Sequence, residues 1–373
     1  GAGGLDEASL AGANELRMVE AGKPIAARFV SPDDLGLAAA PLEALRGGAL
    51  ADNQRILENV LKGEATPAQI GAFLVALRLN VKTVEEITGM ARVMREKALR
   101  VMTDGELVDV VGTGGDGLST FNVSTASALV TAAAGVKVAK HGNRAASGNI
   151  GSADILEAFG VKLELSPESV KRCIDEVGIG FMFAPAFHPA MRFAGPPRRE
   201  LGVRTAFNIL GPLTNPAGAQ YQLVGVAQPS VVFGREQPEL GDLVARVLAS
   251  LGTKRSWVVR GDDGLDELTT TTTSQVWEVV GDTVRHFTLA PEELGLQRAS
   301  LADFQIAGQH EATVKFEQAL APGNSPEKDM VLLNAGAALV VGGCAEDLVS
   351  GIRTASEAIN SGAAMSVLRR LAT

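Results

Sequence analysis

A glycine-rich turn, GTGGDG at residues 112–117, carries the clearest chemical signal in the sequence. It follows a short apolar run at residues 107–111 and precedes an Ala-rich stretch that is typical of a helix. Glycines adopt positive φ angles readily, so several backbone N–H groups of such a turn can point at one anion. A phosphate-binding turn is therefore predicted, and the alternative is a tight strand-to-helix connection without a ligand.

The same turn fits the dinucleotide pattern G-x-G-x-x-G, which would indicate an oxidoreductase. That interpretation also needs an acidic residue near the end of the next strand to bind the ribose hydroxyls. No Asp or Glu occurs between Asp116 and Asp154, and the next predicted strand ends in Lys140 and His141. The sequence therefore argues against a dinucleotide cofactor.

Polar side chains crowd the start of the helix that follows the turn. The segment TFNVST at residues 120–125 supplies four hydroxyl or amide groups. Unpaired N–H groups and a partial positive charge make a helix N-terminus attractive to phosphate. One of these side chains caps the helix in any case, but four exceed what capping requires. We expect them to extend the anion site.

A second polar loop, KHGNRAASG at residues 140–148, follows the next predicted strand. Because parallel strands end at the same edge of a sheet, this loop should face the first turn. Lys140 and Arg144 supply positive charge, and Asn143 and Ser147 supply neutral hydrogen-bonding groups, as a phosphorylated ligand requires. The alternative for each cation taken alone is a solvated surface position.

Two further segments carry charges of opposite sign. The loop GDDGLDE at residues 261–267 places carboxylates after a predicted strand. This setting suits Mg²⁺ bound through few carboxylates, waters and substrate phosphates, and an exposed acidic turn is the alternative. Arg192 and Arg198 lie in a stretch rich in Pro and Arg. A guanidinium there could bind a planar carboxylate through two hydrogen bonds, or simply face solvent.

The spacing of apolar residues predicts two kinds of region that position these groups, one with helices only and one with alternating strands and helices. Residues 41–103 show helical spacing only, with helix starts at Thr66-Pro67 and Thr83. From residue 106 short apolar strands alternate with helices, which predicts an α/β fold with a mostly parallel sheet covered on both faces. The predicted strands are residues 107–111, 136–140, 161–165, 179–183, 221–227 and 257–260. Residues 185–218 interrupt the alternation, either as a hinge or as a return to the helical block.

Composition narrows the classes of function. The chain has 373 residues, enough for about two domains, and 34 Lys and Arg against 43 Asp and Glu leave a net charge of −9. No basic run occurs, which argues against a nucleic-acid or anionic-membrane surface. Cys173 and Cys344 form no C-x-x-C motif, and no signal peptide or membrane-length apolar run is visible. We expect a soluble cytoplasmic protein with no nucleic-acid or membrane partner.

Taken together, these motifs closely resemble the anthranilate phosphoribosyltransferase family of tryptophan biosynthesis. The matching stretches are residues 112–125, 140–147, 151–160, 187–192, 198–216 (RRELGVRTAFNILGPLTNP) and 264–269 (GLDELT). The resemblance extends from about Pro41 to the C-terminus. It implies a magnesium-dependent enzyme that transfers the phosphoribosyl group of phosphoribosyl pyrophosphate (PRPP) to the amine of anthranilate.

The resemblance also implies roles for individual residues. The implied PRPP contacts are Gly112, Gly115, Asp116, Thr120, Asn122, Val123, Ser124, Thr125, Lys140, His141, Gly142, Asn143, Arg144, Ala145, Ala146, Ser147, Gly148 and Ser152. The implied anthranilate contacts are Gly112, Asn143 and Arg198, with His141 and His188 near the path of the aromatic acid. The implied ligands of one or two magnesium ions are Ser124, Asp266 and Glu267.

The fold implied by the resemblance has two domains. A small helical N-terminal domain would span residues 41–104, with an added contribution from about 190–216, and a larger α/β domain would span 105–373. Two chains would form a homodimer through the helical domain. Residues 1–40 have no match and are predicted to be a poorly structured segment or a tag.

Two rival functions stay open at this point. A pyrimidine nucleoside phosphorylase is similar in architecture, but it normally shows Lys-His-Ser before its glycines, and this chain does not. A non-catalytic relative that binds nucleic acid would need a basic surface, which the net charge of −9 disfavours. One departure from the family also stands out, since residues 147–152 read SGNIGS where the family often has SSKSGS.

Overall fold

The computed structural model describes residues 15–20, 23–28, 50–79, 83–145, 150–227 and 239–373. The first pair of segments forms two antiparallel strands, β1 (Glu15–Glu20) and β2 (Lys23–Arg28), in which Glu20 pairs with Lys23. We predicted no element there. The other described residues form a helical block and a large sheet covered by helices.

Within residues 50–79 and 83–98, three helices form the helical block: α1 (Leu50–Lys62), α2 (Pro67–Leu79) and α3 (Val84–Lys97). The predicted start at Thr66-Pro67 is confirmed for α2. At the start of α3 the Thr83 hydroxyl accepts the N–H of Glu86, and the Glu86 carboxylate accepts the N–H of Thr83. Apolar side chains at helical spacing, such as Ile70 and Phe73, are buried in the core of the block.

A seven-stranded mixed sheet has the order β5-β4-β3-β6-β7-β8-β9. Its strands are β3 (Val108–Gly112), β4 (Val138–Gly142), β5 (Ile179–Phe183), β6 (Tyr221–Gly225), β7 (Arg255–Gly261), β8 (Ser274–Val280) and β9 (Thr283–Leu289). The strands from β5 to β7 run parallel, and β8 and β9 run antiparallel. The turns that follow β3, β4 and β7 therefore leave the same edge of the sheet.

Helices cover both faces of this sheet. They are α4 (Val123–Ala133), α5 (Ser152–Ala158), α6 (Pro167–Arg172), α7 (Ala184–Phe187), α10 (Leu240–Ser250), α11 (Gln309–Leu320), α12 (Pro326–Val341), α13 (Leu348–Asn360) and α14 (Ala363–Leu371). Alternate strand residues serve different cores: Leu223 packs with α4 and α12, whereas Val224 packs with α10 and the helical block.

Residues 185–218 return to the helical block. They include α8 (Gly195–Leu201), which contacts α2, and α9 (Ala206–Leu210), which contacts α2 and α3. Phe207 and Leu210 are buried in the same cluster as Ile70 and Phe73. Of the two alternatives for this stretch, the contacts favour a return over a hinge. The domain boundaries themselves stay a prediction.

Two details of the predicted sheet are wrong. Residues 161–165 form no strand, because β5 pairs directly with β4 and leaves no place between them. Val161 and Leu163 are buried between exposed neighbours, so the alternation reflects packing without strand pairing. The antiparallel pair β8 and β9 was not predicted at all.

None of the helices in the described ranges is both long and apolar enough to cross a membrane.

Candidate active site

The glycine turn after β3 makes room for an acidic loop. Gly114, Gly115 and Gly117 have φ angles of 65°, 76° and 79°, which side chains on other residues would disfavour. A Cβ atom on Gly112 would lie 2.4 Å from the Asp266 carboxylate, and one on Gly225 would lie 1.5 Å from the Asp266 carbonyl oxygen. The loop after β7 therefore crosses directly over the ends of β3 and β6.

Hydrogen bonds fix the two acids of that loop on the predicted phosphate site. The Asp266 carboxylate accepts the N–H of Gly114 at 2.7 Å. The Glu267 carboxylate accepts the N–H of Ser124, in the first turn of α4, at 3.2 Å. The structure thus brings the acidic loop after β7 onto the glycine turn and the start of α4, both of which follow β3.

Crowding of these acids raises their pKa values. Burial and the neighbouring Asp116 carboxylate raise the pKa of Asp266 to about 7. Burial, followed by the charge of Asp266, raises the pKa of Glu267 well above its usual value. Three carboxyl groups therefore lie close together with too little positive charge around them, an arrangement that a bound cation would relieve.

Asp262 and Asp263, the other acidic residues of the 261–267 loop, form hydrogen bonds with the loop itself and with β8. Asp263 accepts hydrogen bonds from the N–H of Leu265 at 3.0 Å and from the hydroxyl of Thr269 at 2.7 Å. Asp262 accepts one from the side chain of Gln275 at 3.0 Å. These two carboxylates shape the loop itself, so the acidic segment divides into structural and site-facing residues.

Lys140 lies beneath the site. It is 1% exposed, and its Nζ donates to the carbonyl of Val110 at 2.6 Å and to the hydroxyl of Ser124 at 3.5 Å. Burial lowers its pKa, and the charges of Asp109 and Glu267 oppose that shift. The ammonium therefore supports the Ser124 and Glu267 pair from inside the sheet.

Two buried histidines pack against each other beside the site. The rings of His141, in β4, and His188 have centroids 5.1 Å apart. The His141 Nδ1 lies 3.3 Å from the carbonyl of Gly211, and the Nε2 atoms of both rings are buried without a hydrogen-bond partner among the described residues. Burial lowers the pKa of His141 to about 3 and that of His188 to about 4, so both rings are neutral at pH 7.

A buried carboxyl group holds the backbone of β4 in place. Asp109 accepts the N–H of His141 at 3.2 Å and the side-chain amide of Asn215 at 2.7 Å. Asn215 also donates to the carbonyl of Ala139 at 2.8 Å. Burial raises the pKa of Asp109 to about 6. Sequence reasoning missed both residues: Asp109 belongs to no recognisable chemical motif, and the only signal for Asn215 was its place within the stretch 198–216.

Arg198 has a half-buried guanidinium that contacts α9. Its Nη2 donates to the side-chain oxygen of Asn208 at 3.1 Å, and its Cζ lies 5.9 Å from the centre of the Phe207 ring. Burial lowers its pKa. No carboxylate pairs with it in the described part of the chain, which suits a residue that binds an anionic group.

The predicted loop after β4 is described only in part. Arg144 pairs with Glu157, at 2.7 and 2.9 Å, and with Asp154 at 2.9 Å, so its guanidinium is already engaged by two acids. Ser152 donates to the carbonyl of Asn143 at 3.2 Å. Ala146, Ser147 and Gly148, which we predicted to contact PRPP, lie outside the described residues.

At the start of α4, two buried side-chain oxygen atoms have no hydrogen-bond partner among the described residues. Asn122 donates to the carbonyl of Ile150 at 2.7 Å, but within the described part of the chain its side-chain oxygen is buried without a partner, as is the hydroxyl of Thr125. Thr120 forms an isolated β-bridge with Gln305, and the side chain of Val123 is buried in the core. Gly142, at the end of β4, lies so close to Ser152 that a Cβ atom there would collide with the Ser152 hydroxyl. The predicted residues of this helix start therefore divide into partnered, apolar and unpartnered groups.

The donor set suits a hard cation that keeps other ligands. Among the residues that the structure describes, no three His, Cys, Asp or Glu side chains converge as a complete metal cage. Asp266 and Glu267 nevertheless offer carboxylate oxygen atoms on the glycine turn and on the first turn of α4, where Ser124 adds a hydroxyl. Mg²⁺ is typically bound by one or two carboxylates with waters and substrate phosphates, and this set fits that pattern.

Sequence reasoning also missed Arg204. Its Nη1 donates to the carbonyl of Gly115 at 3.1 Å, across 89 positions of the chain. The only local signal was its place within the stretch 198–216, which resembled the family as a whole.

Both domains of the chain match models of the glycosyl transferase family. Residues 51–98 match the glycosyl transferase family, helical bundle domain, and residues 104–365 match the glycosyl transferase family, a/b domain. The predicted fold class, a small helical domain with a larger α/β domain and a mostly parallel sheet, is confirmed.

Within the glycosyl transferase family, the chain is clearly similar to anthranilate phosphoribosyltransferases. The chain is 52% identical over 322 residues to an anthranilate phosphoribosyltransferase of Rhodospirillum rubrum, with 86% of this chain and 90% of the relative covered. It is 47% identical over 324 residues to one from Dehalococcoides mccartyi, with 86% and 92% covered. The chain belongs to the anthranilate phosphoribosyltransferase family, so the predicted family and enzyme class are confirmed.

Solved structures of anthranilate phosphoribosyltransferases have the same fold as this chain. The anthranilate phosphoribosyltransferase from Thermus thermophilus superposes with a TM-score of 0.82 at 43% identity, covering 90% of this chain and 98% of that one. The enzyme from Saccharomyces cerevisiae, in complex with PRPP and Mg, superposes with a TM-score of 0.79 at 26% identity, covering 90% and 97%.

Proposed function

We propose that this chain transfers the phosphoribosyl group of PRPP to the amine of anthranilate, with Mg²⁺ required. The products are N-(5-phosphoribosyl)anthranilate and pyrophosphate, in the second step from chorismate to tryptophan. One observation carries the proposal: Asp266 and Glu267 are hydrogen-bonded to the N–H groups of Gly114 and Ser124. Acids suited to a cation therefore lie against a turn and a helix start suited to a diphosphate.

PRPP would lie with its pyrophosphate over the glycine turn and the start of α4. The backbone N–H groups of residues 115–117 and the N-terminus of α4 would bind phosphate oxygens, because the N–H groups of Thr113 and Gly114 already bond to the Gly225 carbonyl and the Asp266 carboxylate. The buried oxygen atoms of Asn122 and Thr125, which have no partner among the residues that the structure describes, support this placement, because buried polar atoms normally have partners.

Asp266, Glu267 and Ser124 would hold the cation. Magnesium, when bound, would offset the negative charge that develops on the departing pyrophosphate. The raised pKa values of the two carboxyl groups support this role, since burial next to like charge is costly unless an opposite charge arrives. One ion or two would fit the proposal.

Arg198 would hold the anthranilate carboxylate. A half-buried guanidinium without an acidic partner can bind a planar carboxylate through two hydrogen bonds. The amine of anthranilate would then face C1 of the ribose. The N–C1 bond forms as the bond from C1 to pyrophosphate breaks, and the amine loses its proton afterwards. An aniline-type nitrogen attacks in its neutral form, so the main contributions are positioning and charge stabilisation.

The histidine pair would shape the pocket for the aromatic ring. Because burial holds the pKa of His141 near 3 and that of His188 near 4, both are weak bases in this environment. That disfavours a role as a general base at pH 7, which works best with a pKa near the operating pH.

The proposal includes a homodimer formed through the helical block and a cytoplasmic location. Both stay predictions.

Loss of anthranilate fluorescence on addition of PRPP and Mg²⁺ tests the proposed function. We expect a decrease that requires all three components. Uridine or thymidine with inorganic phosphate provides the control reaction. Consumption of the nucleoside, with anthranilate unchanged, would contradict the proposal and favour a nucleoside phosphorylase.

A further inference from the structure

One charged side chain between the helical block and the glycine turn has no part in the function proposed above. Arg204 lies between α8 and α9, and its Nη1 donates to the carbonyl of Gly115 at 3.1 Å. Its own carbonyl accepts a hydrogen bond from Nη1 of Arg78, in α2, at 2.5 Å. The two hydrogen bonds connect α2 to the glycine turn through a single residue.

The backbone on both sides of Arg204 is anchored. Gly202 ends α8 in the left-handed conformation, with φ of 61°, and Thr205 begins α9, where its N–H is accepted by the side chain of Asn208 at 3.0 Å. Phe207, in α9, is buried in the core of the helical block. The Arg204 side chain therefore extends from a fixed support and does not belong to a free loop.

The guanidinium fits closely against the turn. Gly115 has φ of 76°, and a Cβ atom on it would lie 3.2 Å from both Cζ and Nε of Arg204. A side chain at position 115 would thus displace Arg204 as well as strain the backbone. The contact needs a glycine for space and for conformation together.

The choice of the Gly115 carbonyl has a consequence for anion binding. All described peptide bonds are trans, so the N–H of Asp116 points away from the C=O of Gly115. By holding that carbonyl, Arg204 directs the N–H of Asp116 to the opposite side of the peptide. The contact with Arg204 itself uses none of the N–H groups of the turn, because a guanidinium has only donors.

Charge reinforces the contact. Burial lowers the pKa of Arg204, and the carboxylates of Asp266 and Asp116 oppose that shift. Lys140 acts on Glu267 from inside the sheet. Arg204 is therefore the cation that faces the acids from the side of the helical block.

We propose that Arg204 is a positioning residue for PRPP. It orients the Gly115–Asp116 peptide so that its N–H faces the pyrophosphate, and it ties the turn to α2. This inference rests on the proposed function, because it assumes that PRPP binds over the turn.

The test compares Arg204→Gln and Arg204→Lys with a matched control, Arg369→Gln. Arg369 is exposed on α14, next to Arg370, which bonds to the carbonyl of Glu176 ahead of β5, at the edge of the sheet opposite the site. Each glutamine variant removes one positive charge. Binding of PRPP with Mg²⁺ is measured by calorimetry, and KM and kcat are measured separately for each substrate.

We expect Arg204→Gln to weaken PRPP binding by about tenfold or more, the size typical of one lost charge-assisted hydrogen bond. The PRPP KM should rise accordingly, while kcat and the anthranilate KM stay within about twofold to threefold. Arg204→Lys should recover part of the affinity, since it restores the charge but not the planar group. Arg369→Gln should match the wild type.

Unchanged PRPP affinity in folded Arg204→Gln would overturn the inference. So would an equal loss of affinity for PRPP and anthranilate together with a lower melting temperature, because that pattern indicates a purely structural role. A wild-type protein that binds PRPP but never consumes anthranilate would refute the proposed function, and a selective loss of PRPP binding in Arg204→Gln would then still support the inference.

Discussion

The two sets of residues that would face the substrates are assembled in different ways. The phosphate side, residues 112–125 with Asp266 and Glu267, lies where parallel strands end and α4 begins. The arginine side, Arg198 with His188, lies on the stretch that packs against the helical block. The first side offers backbone N–H groups and crowded acids, and the second offers one guanidinium and neutral rings.

The difference is one of charge as well as origin. On the phosphate side three carboxyl groups, those of Asp116, Asp266 and Glu267, face two cations, Lys140 and Arg204. On the arginine side, within the described residues, Arg198 has no acidic partner. The phosphate side therefore has an excess of negative charge and needs a cation to accompany the phosphate. The arginine side has an excess of positive charge and needs only an anion.

The largest effect is expected on the phosphate side. Replacing Asp266 by Asn together with Glu267 by Gln removes the acids that would hold the cation. Turnover should fall by at least about 10²-fold, since an electrostatic contribution to the transition state is lost. Initial rates measured against Mg²⁺ concentration check this.

Asp262→Asn is the matched control, because Asp262 belongs to the same loop but bonds to Gln275. It should retain the wild-type response to Mg²⁺. An unaltered magnesium dependence in the double variant would rule out the assignment of Asp266 and Glu267.

The next effect belongs to the arginine side. Arg198→Ala should raise the anthranilate KM by an amount equivalent to about 2–4 kcal/mol, the cost of removing one partner of a desolvated charge pair. The PRPP KM should change much less. Steady-state kinetics with each substrate varied in turn provide the measurement. Equal losses for both substrates would show that the two sides are not separate.

Local rules explain why some parts of the fold and of the site were easier to predict than others. The turn at residues 112–117 and the strand Ile179–Phe183 follow from glycine content and apolar runs that lie together in the sequence. Arg204 and Gly115 meet across 89 positions, and Asp109 and Asn215 across 106, so no local pattern relates them. Residues 161–165 show the opposite error, because their alternation satisfies packing without a partner strand.

A smaller effect, on stability, tests how tightly the acidic loop crosses the sheet. A Cβ atom on Gly225 would overlap the backbone oxygen of Asp266, which has no flexible end to move aside. Gly225→Ala should therefore lower the free energy of unfolding by about 1–3 kcal/mol, the usual cost of overpacking. Denaturant unfolding measures it.

Gly71→Ala is the control for that variant. Gly71 lies within α2, and a Cβ atom added there would have no neighbouring atom within 4 Å among the described residues, so alanine should be neutral or stabilising. Similar stability for Gly225→Ala and the wild type would mean that the crossing is looser than the structure indicates.

A last effect, of similar size, concerns the pH dependence of stability. Because burial depresses the pKa of His141 to about 3, the unfolded chain binds a proton near pH 6.5 that the folded chain does not. The folded state therefore loses stability as the pH falls from 7 to 5, by about 2 kcal/mol for this group at pH 5. His141→Asn should show a weaker loss over that interval, measured by melting temperature.

His310→Asn serves as the control, since His310 is exposed on α11. It should follow the wild-type pH dependence. An identical acid sensitivity in His141→Asn and the wild type would contradict the burial of a neutral ring.

A crystal structure with PRPP and Mn²⁺ in place of Mg²⁺ tests the central claim most directly, because the anomalous signal locates the metal independently of the ligand. We expect the diphosphate over residues 112–117 and the N-terminus of α4, with the metal between it and the Asp266 and Glu267 carboxylates. A diphosphate bound elsewhere, or a metal site that excludes both carboxylates, would contradict it.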